Sequence, residues 1–303
     1  MAAEPPVSTW LVTGASTGLG QSICKAALAK GFRVIGATRD VARASANNPD
    51  FTVKGGIWIQ LDPAAPDSFE QFARAATEYD FDVLVNNAGY AFVGGVEDTS
   101  EEEVLDQLNV NFLGPLRAVR AVLPSMRKKG RGHIVLIGSG IIYMSIPGRG
   151  IYSASKSAIE ALHISLRQEV SSFGIKVLIV EPGAFRTSWT TNLKIPAAHE
   201  ETNGFSEAYK GTVVERWVGT VPALKTAQAA LPDRIRGDPD KAGREIVRAV
   251  VGGHEYIRLI LGPDCVESAE KRLEEIRFDL DATRAIAFSV SVVSEPGSGS
   301  SAQ

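Results

Sequence analysis

The chain has 303 residues, of which 44% are apolar, and this is enough to bury one sizeable core. Its 32 basic and 35 acidic side chains give a formal net charge of −3, which argues against a nucleic-acid or anionic-membrane binder, since either needs a basic face. Two cysteines cannot form a disulfide framework, and the four histidines show no spacing typical of metal ligands. No apolar run approaches the roughly 20 residues of a membrane-spanning helix. We therefore expect a soluble, cytoplasmic protein without a metal.

Short apolar segments alternate with longer amphipathic ones, in a pattern typical of a parallel sheet covered by helices on both faces. Predicted strands are Thr9–Thr13, Arg33–Ala37, Ile57–Leu61, Val83–Asn86, His133–Gly138, Lys176–Val180 and Tyr256–Leu261. Helices are predicted near 18–30, 66–79, 101–129, 152–173, 240–251 and 266–287, with Asp67, Ser100 and Ser153 as helix starts and Gly31, Gly130 and Gly174 as stops. The fold class is therefore α/β, a doubly wound parallel sheet of about seven strands.

The regular alternation stops after Thr187. Residues 188–237 are rich in Thr and Pro with scattered aromatic side chains, and a connection of this length inside one domain is usually functional. We interpret it as a substrate lid inserted into a single domain of residues 1–293. The Gly- and Ser-rich residues 294–303 are predicted to be a disordered tail.

A glycine-rich turn follows the first predicted strand. It reads Thr13-Gly14-Ala15-Ser16-Thr17-Gly18-Leu19-Gly20 and leads into an amphipathic helix. Glycines allow a tight turn and a close backbone approach to a pyrophosphate, and the following helix offers unpaired N–H groups to the phosphates. The turn therefore predicts a dinucleotide site.

Further motifs follow in order along the chain: Asn86-Asn87-Ala88-Gly89, Asn109-Val110-Asn111, Ser139, Tyr152-Ser153-Ala154-Ser155-Lys156 and Pro182-Gly183-Ala184-Phe185-Arg186-Thr187. Together with the TGxxxGxG turn, they resemble the short-chain dehydrogenase/reductase family, including its hydroxysteroid and retinol dehydrogenases. The resemblance extends from about Val7 to about Val293. It implies a Rossmann-type fold and NAD(P)-dependent oxidoreductase activity.

The resemblance also assigns site residues. It implies that Asn111, Ser139, Tyr152 and Lys156 are catalytic. We expect the substrate to meet Ser139 and Tyr152, and also Trp189, which lies in the predicted lid just past Thr187. It implies cofactor contacts from Gly14, Ser16, Thr17, Gly18, Leu19, Gly20, Thr38, Arg39, Asp62, Asn87, Ala88, Gly89, Tyr152, Lys156, Pro182, Gly183, Phe185 and Thr187.

The end of the second strand indicates which nicotinamide is bound. A carboxylate there would pair with the 2′-hydroxyl of NAD, whereas an Arg would hold the 2′-phosphate of NADP. Thr38 occupies the position where NAD-preferring relatives have Asp, and Arg39 follows, which favours NADP(H). Asp40 beside it, and Thr17 in place of a basic residue, weaken this preference.

Tyr152 and Lys156 are four residues apart, so they face the same side of a helix. A phenol titrates near pH 10, and we expect the ammonium of Lys156, with an oxidised nicotinamide, to lower that pKa. Tyr152 would then exchange a proton with a carbonyl or alcohol oxygen, with Ser139 stabilising the developing charge and Asn111 holding a water near Lys156.

We therefore expect an NADP(H)-dependent enzyme that interconverts a ketone or aldehyde and an alcohol on an apolar small molecule. Two alternatives are a redox sensor without turnover and a dehydration or cyclisation in the same pocket. The helices near 101–129 and 152–173 carry more apolar side chains than one buried face needs: Leu105, Leu108, Leu116, Val119, Leu162, Ile164 and Leu166. The resemblance implies that these helices pair between subunits in a homodimer or homotetramer.

Overall fold

The structure, a computed structural model, describes residues 8–226 and 237–292. The predicted tail, 294–303, and part of the predicted lid, 227–236, lie outside the described residues.

A seven-stranded parallel sheet forms the centre of the molecule. Its strands are β1 (Thr9–Thr13), β2 (Arg33–Thr38), β3 (Ile57–Gln60), β4 (Val83–Asn86), β5 (Gly132–Ile137), β6 (Ile175–Pro182) and β7 (Arg258–Leu261). They lie in the order β3-β2-β1-β4-β5-β6-β7, and every adjacent pair is parallel. This confirms the predicted fold class. The order reverses between β1 and β4, so a crevice opens there at the carboxyl ends of the strands.

The helices are α1 (Gly18–Ala29), α2 (Val41–Asn47), α3 (Pro49–Val53), α4 (Ser68–Tyr79), α5 (Glu101–Leu108), α6 (Gly114–Lys129), α7 (Gly150–Val170), α8 (Val213–Val218), α9 (Val221–Thr226), α10 (Pro239–Gly252) and α11 (Pro263–Ser289). Helices α2, α3, α8 and α9 were not predicted, because each is too short to show a helical apolar period.

Both faces of the sheet are buried, which is why its strands are continuous apolar runs. Leu11 of β1 packs in a core with α4, α6 and α7, whereas its neighbours Trp10 and Val12 pack in a second core with α1 and α10. Successive side chains of a strand point to opposite faces, so one short strand contributes to both cores.

Two of the predicted helix boundaries are set by local capping, and a third was wrong. Ser100 accepts from the Glu103 N–H while Glu103 accepts from the Ser100 N–H, which forms a capping box that starts α5. Gly130 ends α6 with a left-handed backbone, as predicted. Ser153 was wrong as a start, because α7 begins one turn earlier, at Gly150.

The predicted helix near 101–129 is interrupted. Residues Asn109–Leu113 form one π-helical turn between α5 and α6, and Asn111 lies in that turn. Such turns place an extra residue in a helix and are frequent at functional sites.

Helix α11 leaves the body of the protein. Only Cys265 and Ala269 of its 27 residues are buried, so most of this helix does not cover the sheet. No helix in the described ranges is long and apolar enough to cross a membrane.

Candidate active site

A cavity of about 470 Å³ opens at the carboxyl ends of the strands. Every predicted cofactor-contacting residue lines it except Gly20, and so does every predicted catalytic residue except Asn111. Motifs that are spread over 175 residues of sequence thus meet in one cleft, because parallel strands present their carboxyl ends at the same edge of the sheet.

The glycine turn lies at one end of the cavity. Gly14 and Gly18 have positive φ angles of 62° and 57°, which other residues rarely adopt. A Cβ on Gly14 would lie 3.0 Å from the Ala88 Cα, so the turn packs directly against the end of β4. Thr17 at the start of α1 makes no side-chain cap, and the first N–H groups of this helix are therefore available to an anion.

Gly20 has a different role from the one predicted. It does not line the cavity, and a Cβ there would lie 2.5 Å from both the Gly14 carbonyl oxygen and the Asn87 Nδ2. That Asn87 amide donates to the carbonyl oxygens of Thr13, at 2.8 Å, and Gly14, at 3.1 Å. Gly20 therefore allows the close packing that shapes the turn.

Arg39 lies at the other end of the cavity, at the end of β2, and its side chain is exposed. The neighbouring Asp40 carboxylate is engaged elsewhere, because it accepts from the Arg43 N–H at 2.9 Å and caps α2. Arg74 of α4 shares a second depression with Arg39 and Asp62. Two guanidinium groups thus border the point where β2 ends, and Arg74 had no signal in the sequence beyond being an exposed cation on a helix.

Tyr152 and Lys156 are both buried and both line the cavity from the first turns of α7. The Lys156 ammonium donates to the Ile137 carbonyl oxygen at the end of β5, over 2.7 Å. Burial lowers the pKa of Lys156 to about 8, since a buried ammonium loses its hydration.

The phenol of Tyr152 differs from our expectation. Burial raises its pKa above the usual value, while hydrogen bonding with Ser139 and the positive charge of Arg149 act in the opposite direction. We expected Lys156, together with an oxidised nicotinamide, to lower this pKa; without the nicotinamide, the effect of burial prevails. Ser139 caps a short 3-10 turn, Gly140–Tyr143, by accepting from the Ile141 N–H at 3.2 Å.

Asn111 lies behind the cavity, and its amide is fully engaged. The amide nitrogen donates to the Tyr90 carbonyl oxygen at 3.0 Å and to the Ser155 Oγ at 3.1 Å, and its oxygen accepts from the Tyr90 N–H at 3.2 Å. These bonds connect the π turn to the loop after β4 and to α7. The side chain therefore positions neighbouring elements and has no donor left for a water.

Comparisons with known proteins agree with this geometry. A family profile described as short chain dehydrogenase matches residues 8–197. Oxidoreductase claN of Passalora fulva is 42% identical over 68% of this chain and 92% of its own length. A 3-ketodihydrosphingosine reductase of Bacteroides thetaiotaomicron is 34% identical over 84% of this chain and 87% of its own. The crystal structure of a short-chain dehydrogenase from Streptomyces avermitilis superposes with a TM-score of 0.78 at 36% identity, covering 94% of this chain and all of that one.

The chain belongs to the short-chain dehydrogenase/reductase family.

Within this short-chain dehydrogenase/reductase, the loop after β6 completes the cleft. A Cβ on Gly18 would lie 3.3 Å from the Thr187 Cβ, so the loop closes against the glycine turn. Asp264, at the start of α11, accepts from the Ala184 N–H at 2.7 Å and holds this loop from behind. Asp264 was missed in the sequence, because its only signal is a position just after the last strand.

Beyond Tyr152, the cleft is lined by both apolar and polar side chains. Trp189 lines it, with its ring 5.9 Å from that of Tyr152, and packs on a third apolar cluster that includes Leu193 and Val218. Trp217, an aromatic residue of the predicted lid, is 45% exposed and does not line the cleft. Tyr90 and Lys194 also border the cleft, with the Lys194 Nζ 4.5 Å from the Tyr90 ring centroid, and neither residue was predicted from the sequence.

Proposed function

We propose that this protein is an NADP(H)-dependent oxidoreductase that interconverts a ketone or aldehyde and an alcohol on an apolar small molecule. One observation carries the proposal: Tyr152 and Lys156 line the same continuous cavity as the glycine turn and Arg39. A proton donor and a dinucleotide cradle in one cleft are the two parts that carbonyl reduction by hydride transfer requires.

The residues present fit a nicotinamide dinucleotide. A pyrophosphate would fit in the space left by the missing side chains of Gly14 and Gly18. The uncapped start of α1 would offer its N–H groups to the phosphates. Arg39 and Arg74 would hold a 2′-phosphate, with Asp40 withdrawn into its cap. Lys156 would hold the nicotinamide ribose, and Thr187 the carboxamide. The cofactor, when bound, supplies the hydride that reaches the carbonyl carbon.

Tyr152 supplies the proton. During reduction, its hydroxyl donates to the carbonyl oxygen, the O–H bond of the phenol breaks and the O–H bond of the alcohol forms. Ser139 stabilises the negative charge that develops on this oxygen. Lys156, whose pKa of about 8 lies close to neutrality, returns a proton to the phenolate. In alcohol oxidation, the same groups act in reverse.

The apolar cluster beside Tyr152 supports an apolar substrate. Trp189 belongs to it and lines the cleft, and burying apolar ligand surface against its ring stabilises a complex by roughly 25 cal/mol per Å². The name of the Bacteroides relative, a 3-ketodihydrosphingosine reductase, refers to a ketone of this kind.

Turnover against a panel of apolar ketones and aldehydes tests the proposal. NADPH consumption should depend on the carbonyl compound and should exceed NADH consumption. If both cofactors bound without turnover on any compound, the protein would be a redox sensor and the proposal would be wrong. Product analysis showing loss of water or ring closure, with no NADPH consumed, would favour the non-redox reading.

We also propose self-association through α5 and α7. Leu105 and Ile164 are 58% and 38% exposed on these contacting helices. Val119 and Leu166, two of the residues that suggested an interface, are instead buried in the core of the same subunit. Light scattering should show an oligomer that Leu105→Lys and Ile164→Lys dissociate and that Val53→Lys, at a site 86% exposed on α3, leaves intact. A monomer at micromolar concentration would contradict this proposal.

A further inference from the structure

Arg149 occupies an unusual position for a cation. It lies directly before α7, where the positive end of the helix dipole disfavours a positive charge, and the first turn of α7 has no acidic residue to offset it. The side chain is half-buried. In the part of the chain that the structure describes, no carboxylate pairs with its guanidinium and no acceptor binds it.

The guanidinium lies instead on an aromatic ring beside the reactive phenol. Its central carbon is 5.5 Å from the centroid of the Trp189 ring, and that ring is 5.9 Å from the ring of Tyr152. Arg149 directly precedes α7, and Tyr152 lies in the first turn of that helix. Trp189 thus holds a positive charge close to Tyr152 without neutralising it.

Two other cations, Lys156 and Lys194, also line the cleft, and each is held by a contact of its own. Lys156 donates to the Ile137 carbonyl oxygen, and Lys194 lies over the Tyr90 ring. Ser139 is neutral, and no acidic side chain among the described residues acts on the phenol. The pKa of Tyr152 is lowered by Ser139 and by Arg149 alone, against the effect of burial.

We propose that Arg149 is a positioning residue that keeps a permanent positive charge beside Tyr152 and thereby stabilises its deprotonated form, with Trp189 holding the guanidinium in place. The inference rests on the proposed acid–base role of Tyr152. A guanidinium remains charged at every pH at which the protein is folded, whereas burial brings the pKa of Lys156 to about 8. The stabilisation from Arg149 therefore persists at a pH where Lys156 loses its proton.

The test compares Arg149→Gln, which removes the charge, with Arg149→Lys, which keeps it. In the NADP⁺ complex, the Tyr152 phenolate is titrated by ultraviolet difference spectroscopy, with Tyr152→Phe as the reference. The pH profile of kcat/KM for alcohol oxidation is measured in parallel. We expect Arg149→Gln to raise both inflections by about one pH unit, the usual effect of losing an opposite charge nearby, and Arg149→Lys to restore most of it.

Arg167→Gln is the matched control. It removes the same charge from the same helix, but at the far end, where Arg167 donates to the Glu255 carbonyl oxygen at 2.7 Å. Its titration should equal that of the wild type. If Arg149→Gln does not fold, as judged by circular dichroism, Arg149→Met keeps the side-chain stem and takes its place.

Two results would overturn the inference. An unchanged Tyr152 inflection in Arg149→Gln would show that the charge does not act on the phenol. Equal shifts in Arg149→Gln and Arg149→Lys would show that packing on Trp189, and not charge, is responsible. Absence of turnover in the wild type would refute the proposed function, and the spectroscopic titration would still report on Arg149.

Discussion

Replacing Arg39 by Ala should weaken NADPH binding about ten-fold and leave NADH binding within about two-fold. A hydrogen bond to a charged partner contributes about 1.5–3 kcal/mol, and the exposure of Arg39 places its phosphate contact at the low end of this range, which corresponds to about ten-fold. Arg74 borders the same depression, so Arg39→Ala/Arg74→Ala should lose up to about a hundred-fold if the two contributions add.

The assay is a fluorescence titration of each variant with NADPH and with NADH at fixed ionic strength, because exposed charges are screened by salt. Arg43→Ala is the control. Arg43 is also exposed and only four residues away, but it does not line the cavity, and Ala removes the same charge from the same end of the sheet. This control separates a phosphate contact from a general electrostatic effect.

Equal losses for NADPH and NADH in Arg39→Ala would refute the reasoning, since NADH carries no 2′-phosphate. An equal loss of NADPH affinity in Arg43→Ala would assign the effect to the general field of the protein. With either result, Thr38 and Arg39 at the end of β2 would no longer indicate a preference for NADPH.

Three further predictions follow from the structure. Gly20→Ala should abolish measurable NADPH binding, because its methyl group would lie 2.5 Å from the Gly14 carbonyl oxygen and clash with it. The control is Gly252→Ala, whose methyl group would have no atom within 4 Å and which should bind NADPH normally. Normal NADPH binding by Gly20→Ala in calorimetry would refute this role of Gly20. Burial raises the pKa of Glu181 to about 7, so the folded state holds this proton more tightly than the unfolded state, and unfolding free energy should fall by up to about 3 kcal/mol from pH 4.5 to pH 7. Urea titrations should show this difference between wild type and Glu181→Gln, and parallel pH dependences would contradict it. In hydrogen exchange, the described part of the predicted lid, residues 188–226, should exchange rapidly without ligand and be protected by NADP⁺ with an inhibitor. Equal slow exchange in both states would exclude a lid.

The positions of the strands along the chain and the location of the cleft could be predicted, because they depend on local signals that agree with one another. A strand that is buried on both faces is a run of apolar residues, whichever helices pack on it. The glycine turn is recognisable because its backbone needs positive φ angles at Gly14 and Gly18, which glycine adopts readily. Apart from Gly20 and Asn111, the predicted site residues line the cleft, because motifs at the ends of parallel strands must meet.

Contacts between distant segments could not be predicted. The role of Asp264 depends on α11 returning to the loop after β6, and that of Arg74 on α4 lying beside the end of β2. Arg149 has a charge whose effect depends on Trp189 folding back over α7, 40 residues later in the chain. Likewise, the pKa of Tyr152 is raised because several elements bury its phenol. The spacing of Tyr152 and Lys156 in the sequence gives no information about that burial.

The central claim is that Tyr152 transfers the proton in an NADPH-dependent carbonyl reduction, and Tyr152→Phe tests it most directly. The substitution removes only the hydroxyl, so the buried ring should still pack against Trp189 and NADPH should bind with unchanged affinity. Single-turnover oxidation of bound NADPH by a ketone that the wild type accepts should then slow by about 10²–10⁴-fold. If Tyr152→Phe bound NADPH normally and kept more than about a tenth of the wild-type rate, the proposed chemistry would be wrong.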